Sequence, residues 1–356
     1  MKEFLARKNI VISAKRYGID ALGAMAQGLF CSLLIGTIIK TLGTQLALPF
    51  LVEMGGFAAA MSAPAMAVAI GYALQAPPLV LFSLAAVGQA ANAMGGAGGP
   101  LAVLFIAILA AEVGKLVSKE TRVDLLVTPA VTICAGVSLS YLIAPPIGAA
   151  ADAFGTLINR TTMLQPFWMG ITVSVLVGIA LTLPISSAAI CHSLGLVGLA
   201  GGAAVAGCCA QMVGFAVMSF RENRWGGLVS QGIGTSMLQM GNIVKNPRIW
   251  IPPTLASAIT GPIATCLFRL EMNGDPINAG MGTCGLCGQI GVWTGWLAPS
   301  EKAIEKVGAV AVSPTALHWI GLVLVCFVLP AVLSVVFCQV LRKIGWIQEG
   351  DLTLPQ

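Results

Sequence analysis

Charges in this chain are too few and too far apart to cover a soluble surface. Only 9% of its 356 residues are Asp, Glu, Lys or Arg, whereas soluble domains carry about 25%. Nearly every stretch between charges reaches the roughly 20 residues that a helix needs to cross a bilayer. Hydrophobic residues make up 57% of the chain, and the mean hydropathy is +0.90. The expected fold class is an all-α polytopic membrane protein with the lipid bilayer as its solvent. The net charge of +5 does not point to nucleic acid, because the basic residues sit in short loops, where they orient membrane proteins. Most of the ten cysteines fall inside apolar runs. They read as small packing residues, not as a disulfide framework.

The 42 glycines and 19 prolines sharpen this expectation. In lipid, helix breakers persist only where protein or a water-filled cavity satisfies the freed backbone groups, and transporters with broken helices have this composition. Lys2, Arg7, Lys8, Lys15 and Arg16 precede the first apolar run and place the N-terminus in the cytoplasm. That run, Ala21 to Ile39, is too long for a signal-peptide core and predicts a first helix over 20–42. A second run over 45–75 should bend at Pro49, Gly55, Gly56 and Pro64. "APPLVLFSLAAVGQAANAMGGAGGP" reads as an outward helix dissolving into glycine, with 101–117 returning to Lys115, Lys119 and Arg122. Residues 125–144 and 166–183 should span on either side of an external connection, "APPIGAAADAFGTLINRTT", that holds a short surface helix.

"LPISSAAICHSLGLVGLAGG" should pass outward, turn at its glycines and return to Arg221 and Arg224. If 226–243 spanned, Lys245 and Arg248 would lie outside, so it is expected to form a re-entrant hairpin. Residues 250–269 then go out, 277–297 form a second hairpin, and 316–341 return to Arg342 and Lys343. The expectation is about ten transmembrane helices plus two re-entrant hairpins, both termini cytoplasmic. The stretches beginning at Ala76 and Leu183 share a pattern of proline, apolar helix, glycine-rich turn, helix and basic loop. This suggests a possible internal repeat offset by roughly 107 residues.

"INAGMGTCGLCGQ", residues 277–289, admits three readings. A zinc site at Cys284 and Cys287 needs further ligands, and the two histidines, His192 and His318, are distant in sequence. The G-x-G-x-x-G of a dinucleotide fold needs a strand before it and a helix after it, and no βαβ pattern surrounds it. The third reading fits the apolar setting. Glycine-rich backbone at membrane depth can offer N–H and C=O groups to a polar solute, with Asn278, Thr283 and Gln289 as hydrogen-bonding neighbours. A tight helix crossing without a ligand is the alternative. No metal, cofactor or catalytic centre is expected.

Other polar residues in apolar runs are also candidates. His192 is either a ligand group or a histidine satisfied by a carbonyl. Glu53 is the best acid within an apolar run, as proton acceptor or counter-charge. Asn92, Gln89 and Gln211 can donate and accept hydrogen bonds to a sugar or to a neighbouring helix. Glu112 and Lys115 suit a helical ion pair. Arg248 and Trp250 are expected to anchor the chain at the interface, and His318 to sit at the start of the last helix.

"NPRIWIPPTLASAITGPIATCLFRLEMN", "NAGMGTCGLCGQIG" and "LPISSAAI" together resemble the membrane subunit, enzyme IIC, of bacterial sugar phosphotransferase systems, in the branch of perfringolysin-regulator-like proteins. The resemblance covers nearly the whole chain as a single domain over 1–356, with no fused IIA or IIB domain. It implies a homodimeric permease of the bacterial plasma membrane that binds a sugar near the hairpins, with a cytoplasmic IIB partner phosphorylating it. Many sugar-transporting members carry a glutamate in a Gly-Ile-Thr-Glu-Pro-like hairpin, and neither "LPISSAAI" nor "INAGMGTCGLCGQ" contains an acid. That departure gives weight to the alternative of a membrane-embedded sensor or regulator that keeps the fold without phosphoryl-coupled transport.

Overall fold

The computed structural model describes residues 2–354. Among them there are helices, turns and irregular segments but no strand beyond an isolated bridge between Gly198 and Met272. Five helical stretches are long and apolar enough to cross a membrane: Arg16–Gln45, Pro78–Val117, Asp124–Thr161, Gly198–Met218 and Ala316–Ile344. The bent pair Pro49–Ala60 and Ser62–Ala73 makes six if it is one span. The chain forms two compact units, Met1–Ala151 and Asp152–Gln356.

In the first unit, small residues set the packing. Gly28, Gly36 and Gly43 lie about two turns apart and so share one helix face. A Cβ at these positions would fall 2.6 Å from Ala65 O, Ala59 N and Val52 N respectively. The partner numbers fall as the glycine numbers rise, so the 16–45 helix lies antiparallel to 49–73. In lipid, such close approach of backbones takes over from the hydrophobic effect as the source of helix association. The bend of 46° comes at Met61, between the glycines and the proline expected to cause it. Pro49 occupies the first turn of its helix, where no N–H is missed.

Pro78–Gly95 and Gly99–Val117 form an antiparallel hairpin. A Cβ on Gly95 would meet Ala102 at 3.0 Å, and one on Gly114 would meet Val80 at 2.9 Å. The turn relies on Gly96, at φ +50°, a backbone region that glycine enters without steric penalty. Glu112 and Lys115 form the expected ion pair at 2.8 Å.

The external connection expected after residue 144 is corrected. Asp124–Thr161 is one helix of 38 residues that keeps Pro129, Pro145 and Pro146 inside it, about 57 Å long at 1.5 Å per residue. Proline is tolerated in such helices when neighbours hold the chain. Here the glycine turn docks just past the proline pair. A Cβ on Gly98 would lie 2.7 Å from Ile147 O, and one on Gly148 would lie 2.9 Å from Gly95 O. Only 22% of this helix's apolar window is buried, and Leu125, Tyr141 and Leu142 are exposed, as suits a face turned to lipid.

The second unit is built around Gly198–Met218, whose apolar window is 94% buried. Pro166–Thr182, Ile251–Pro262 and Leu329–Ile344 pack on it. Glycines again mark the crossings. A Cβ on Gly207 would overlap the Ser174 carbonyl, and one on Gly261 would overlap the Gly170 carbonyl. Ser174 Oγ donates to Ser257 O at 2.8 Å across the 166–182 and 251–262 helices.

The stretch 219–246, which contains the 226–243 run, is broken into short elements. Phe220–Val229 kinks at Arg224, Thr235 is extended, and Met240–Lys245 makes a short second arm. Its amides clasp residues 346–354. Asn223 Nδ2 and Gln239 Nε2 donate to Leu352 O at 2.7 and 2.9 Å. Asn242 Nδ2 donates to Thr353 O at 2.8 Å, and Asn246 Nδ2 to Trp346 O at 3.0 Å. Gln231, Gln239 and Asn242 are linked in series at 2.8 Å each. Leu352 is fully buried beneath this row.

Candidate functional site: two interrupted elements on a buried helix

Two interrupted segments meet on the 198–218 helix. The first follows Thr182. The sequence predicted a full outward pass over "LPISSAAICHSL", but the helix is only Ser187–Leu194, eight residues or about 12 Å. Ser186 caps its start, accepting from Ala189 N at 3.2 Å, and Gly195 ends it at φ +55°. Leu183 before it is extended and closes the preceding helix, its N–H donating to Ile179 O at 2.9 Å and its carbonyl accepting from Ile185 N at 2.8 Å.

The second segment is a hairpin over 271–297. The inward arm includes Pro276–Gly280, capped by the Asp275 carboxylate, which accepts from Ile277 N at 3.1 Å. The returning arm is the Cys287–Leu297 helix. A Cβ on Gly291 would lie 2.7 Å from Asn278 Cβ, and one on Gly295 would lie 2.5 Å from Gly274 N, so the arms run antiparallel. The tip uses left-handed backbone at Gly282, Gly285 and Leu286. The glycines of G-x-G-x-x-G thus serve a hairpin tip instead of a strand-to-helix crossover. Cys284 and Cys287 are buried and not joined in a disulfide, and no group of three or more His, Cys, Asp or Glu that could hold a metal occurs among the described residues.

The two segments and the central helix interlock through main-chain groups. Ser187 Oγ donates to Gly280 O at 2.7 Å, and Gly280 lets the two backbones touch. Cys208 faces Ala279 O and packs under Gly282. Thr283 is buried, its hydroxyl 3.5 Å from Met212 Sδ. Gln289 is 8% exposed; its Nε2 lies 3.1 Å from Cys209 Sγ. Its Oε1 is buried with no hydrogen-bond partner. A buried acceptor without a partner costs about 1–3 kcal/mol, so this oxygen is a candidate contact for a bound group. Asn278 is half-buried on the inward arm.

A cavity of about 590 Å³ opens where the first segment ends and the second begins. Asn159, Thr162, Glu271 and Lys306 line it together with residues 194–200. Glu271 Oε2 accepts from Asn273 Nδ2 at 3.0 Å, and Asn273 Oδ1 accepts from Gly198 N at 3.1 Å. Lys306 Nζ donates to Leu194 O at 2.5 Å. The volume lies within the range of about 300–1,000 Å³ usual for small-molecule sites. Sequence reasoning passed over Glu271 and Lys306. Glu271 carried a legible signal, as an acid in "LFRLEMN" immediately before the hairpin.

The other sequence-predicted residues lie elsewhere. Gln211 is fully buried on another side of the 198–218 helix. Its Oε1 accepts from Trp250 Nε1 at 2.9 Å and from Thr182 Oγ1 at 3.3 Å, while its Nε2 donates to Thr254 Oγ1 at 3.2 Å. Trp250, half-buried, thus points its indole N–H into the unit, and Arg248 stacks over the Trp346 ring at 5.2 Å. His192 is exposed, 3.5 Å from Asp275 Oδ1, not enclosed in an apolar helix. His318 completes a capping box with Thr315, as a residue at the start of the last helix can. Glu53 and Asn92 belong to the first unit. Glu53 is exposed, and Asn92 packs its amide against Gly99 at the hairpin turn.

Long apolar helices, a buried central helix and two interrupted elements meeting on it define a multi-pass helical membrane protein. The chain matches the family model described as "Phosphotransferase system, EIIC" over residues 19–354 and belongs to that family. It is thus a phosphotransferase-system membrane component, and the family implies solute transport and partnership with an EIIB protein. No curated protein and no solved structure matches the chain.

Proposed function

We propose that this chain is a permease of the enzyme IIC type that binds and translocates a sugar or similar hydroxylated solute. The observation that carries the reading is the unpartnered Gln289 Oε1, buried at the contact between the 271–297 hairpin and the central helix. An amide oxygen suits a solute hydroxyl, which can donate to it. Asn278 and Thr283 belong to the same hairpin; the cavity beside Glu271 and Lys306 lies at the start of that hairpin and is lined by none of the three amide and hydroxyl candidates. Glu271 supplies a carboxylate near the hairpin, although neither motif contains one. Gln211 supports the adjoining helices, and His192 with Asp275 flanks the inward arm. Glu53 and Asn92 serve the first unit, as surface charge and turn packing.

In this reading the two segments are re-entrant at membrane depth, the protein sits in a bacterial plasma membrane with cytoplasmic termini, and two copies form the working unit. Uptake of radiolabelled sugars into proteoliposomes, with and without phosphorylated IIB, is the test. Uptake of one sugar is expected, together with weaker binding by Asn278→Ala at unchanged assembly. Binding without uptake under either condition overturns the permease and favours the regulator.

A further inference from the structure

The first unit holds a second cavity, of about 360 Å³, that solute transport does not call on. It is lined by Arg7, Lys8, Lys115 and Lys119, by Glu120, and by Asn9, Gln75, Pro77 and Ser118. Pro77 is its one apolar lining residue, in a chain with only 9% charged residues. The position of the cavity is equally specific. Gln75 and Pro77 link Ser62–Ala73 to Pro78–Gly95, and Ser118 directly follows Gly99–Val117. Three apolar helices therefore end at its rim, which puts it at the border of the bilayer, where headgroups lie.

The charge does not cancel. Glu112 offsets Lys115 at 2.8 Å. Arg7 and Lys8 share the single carboxylate of Glu120, at 2.8 and 2.5 Å. Lys119 is exposed, with only its backbone N–H committed, to Asp124 Oδ1 at 2.7 Å. With Arg16 beside Asn9 and Leu74, and Asp124 beside Lys119, five cations face three carboxylates, and two positive charges are left over. The frame around them is fixed. Lys115 Nζ donates to Asn9 O and Leu74 O at 3.1 Å each, Arg16 donates to Leu74 O at 2.5 Å, and Lys8 donates to Ser118 O. The cations are thus held on a built rim.

We infer that this cavity binds a phosphate group, that of an anionic glycerophospholipid in the facing leaflet. Basic pockets between transmembrane helices on the cytoplasmic side suit such headgroups, each nearby Lys or Arg adding about 1 kcal/mol, or about fivefold in affinity. The basic N-terminal segment that supplies Arg7 and Lys8 is what the positive-inside rule assigns to that side. Exposed Tyr72, Leu116 and Val123 near the cavity in sequence offer apolar surface for acyl chains. The inference is independent of which solute the second unit carries.

Thermal stability of the purified full chain would be measured in nanodiscs of phosphatidylglycerol or phosphatidylcholine, and in phosphatidylcholine with added inorganic phosphate at matched ionic strength. A higher Tm in phosphatidylglycerol is expected, with native mass spectrometry retaining the anionic lipid on the protein. Lys119→Gln should weaken retention about fivefold while Lys119→Arg preserves it, and the Lys119 side chain can change without disturbing the Lys8 and Lys115 frame. A Tm gain from inorganic phosphate equal to that from phosphatidylglycerol would overturn the lipid source and identify a soluble phosphate ligand. Equal stability in all three conditions, or equal lipid retention by Lys119→Gln and the unaltered chain, would overturn the site.

Discussion

At Gln289 one side chain faces two directions chemically. Its nitrogen rests against a cysteine sulfur, a weak acceptor, and its oxygen has nothing. Replacement by leucine removes the unpaired acceptor and keeps the volume, a change close to neutral for stability. Gln289→Leu is therefore expected to assemble normally with an unchanged Tm. It should lose about tenfold in solute affinity, the worth of one hydrogen bond of about 1–1.5 kcal/mol, as read by equilibrium binding of the transported sugar. Glu120 gives a prediction with a pH sign. The hydrogen bond from Lys8 and the nearby Arg7 charge outweigh desolvation and hold its carboxyl below the ordinary carboxylate value. A lowered folded-state value stabilises the tie above the ordinary pKa, and the tie is lost as pH falls through the lowered one. A spin label at exposed Ile12 should be immobile at pH 7 and loosen below about pH 4, and Glu120→Gln should be loose at both. The residue scale was also where sequence reading was least secure. Gln289 and Asn278 stood out as candidates because polar amides beside clustered glycines are unusual in an apolar run. His192 misled because apolar neighbours in sequence do not bury a side chain on an eight-residue helix.

Among the elements, glycine decides where helices may cross. Gly207 touches the Ser174 carbonyl, which is main chain and cannot rotate away. Gly207→Ala should force apart the 198–218 and 166–182 helices and cost at least the roughly 1–3 kcal/mol of an overpacked core, lowering Tm and the yield of folded protein. Gly56→Ala is the matched control, since nothing lies within 4 Å of its added Cβ, and it should be neutral or slightly stabilising by helix propensity. The all-helical class was readable because apolar runs bounded by basic loops leave few choices, but five helical stretches among the described residues, or six with the bent pair, are long and apolar enough to span, against the ten expected. The turns of 78–117 and of the hairpin expected at 277–297 were readable from their glycines, although the second hairpin takes in residues from 271 onward. The pair Pro145–Pro146 was not, since proline's local rule is to stop a helix. What overrides it is a tertiary contact, the docking of Gly98 and Gly148, and no local pattern contains that contact.

At the scale of the molecule, each unit keeps its polar groups inside a network of its own. In the second unit the network is the amide row of 223–246 gripping residues 346–354. Gln239 is its centre, donating to Gln231 and Leu352 and accepting from Asn242. Gln239→Leu strands two of these groups, at about 1–3 kcal/mol. A fall in Tm of about 2–12 °C follows for a unit of this size, measurable by thermal unfolding in detergent. The clasp also sets a schedule. The partners are separated by 100 to 129 residues, so at about 5–20 residues per second the amides emerge from the ribosome roughly 5–25 s before the chain they will hold. During that interval the row stays open to water or chaperones, and the unit cannot seal. Translation that stalls between residues 250 and 345 would therefore leave a protein whose helices have inserted but whose polar seam still awaits its mate, and quality-control machinery could recognise it by that seam.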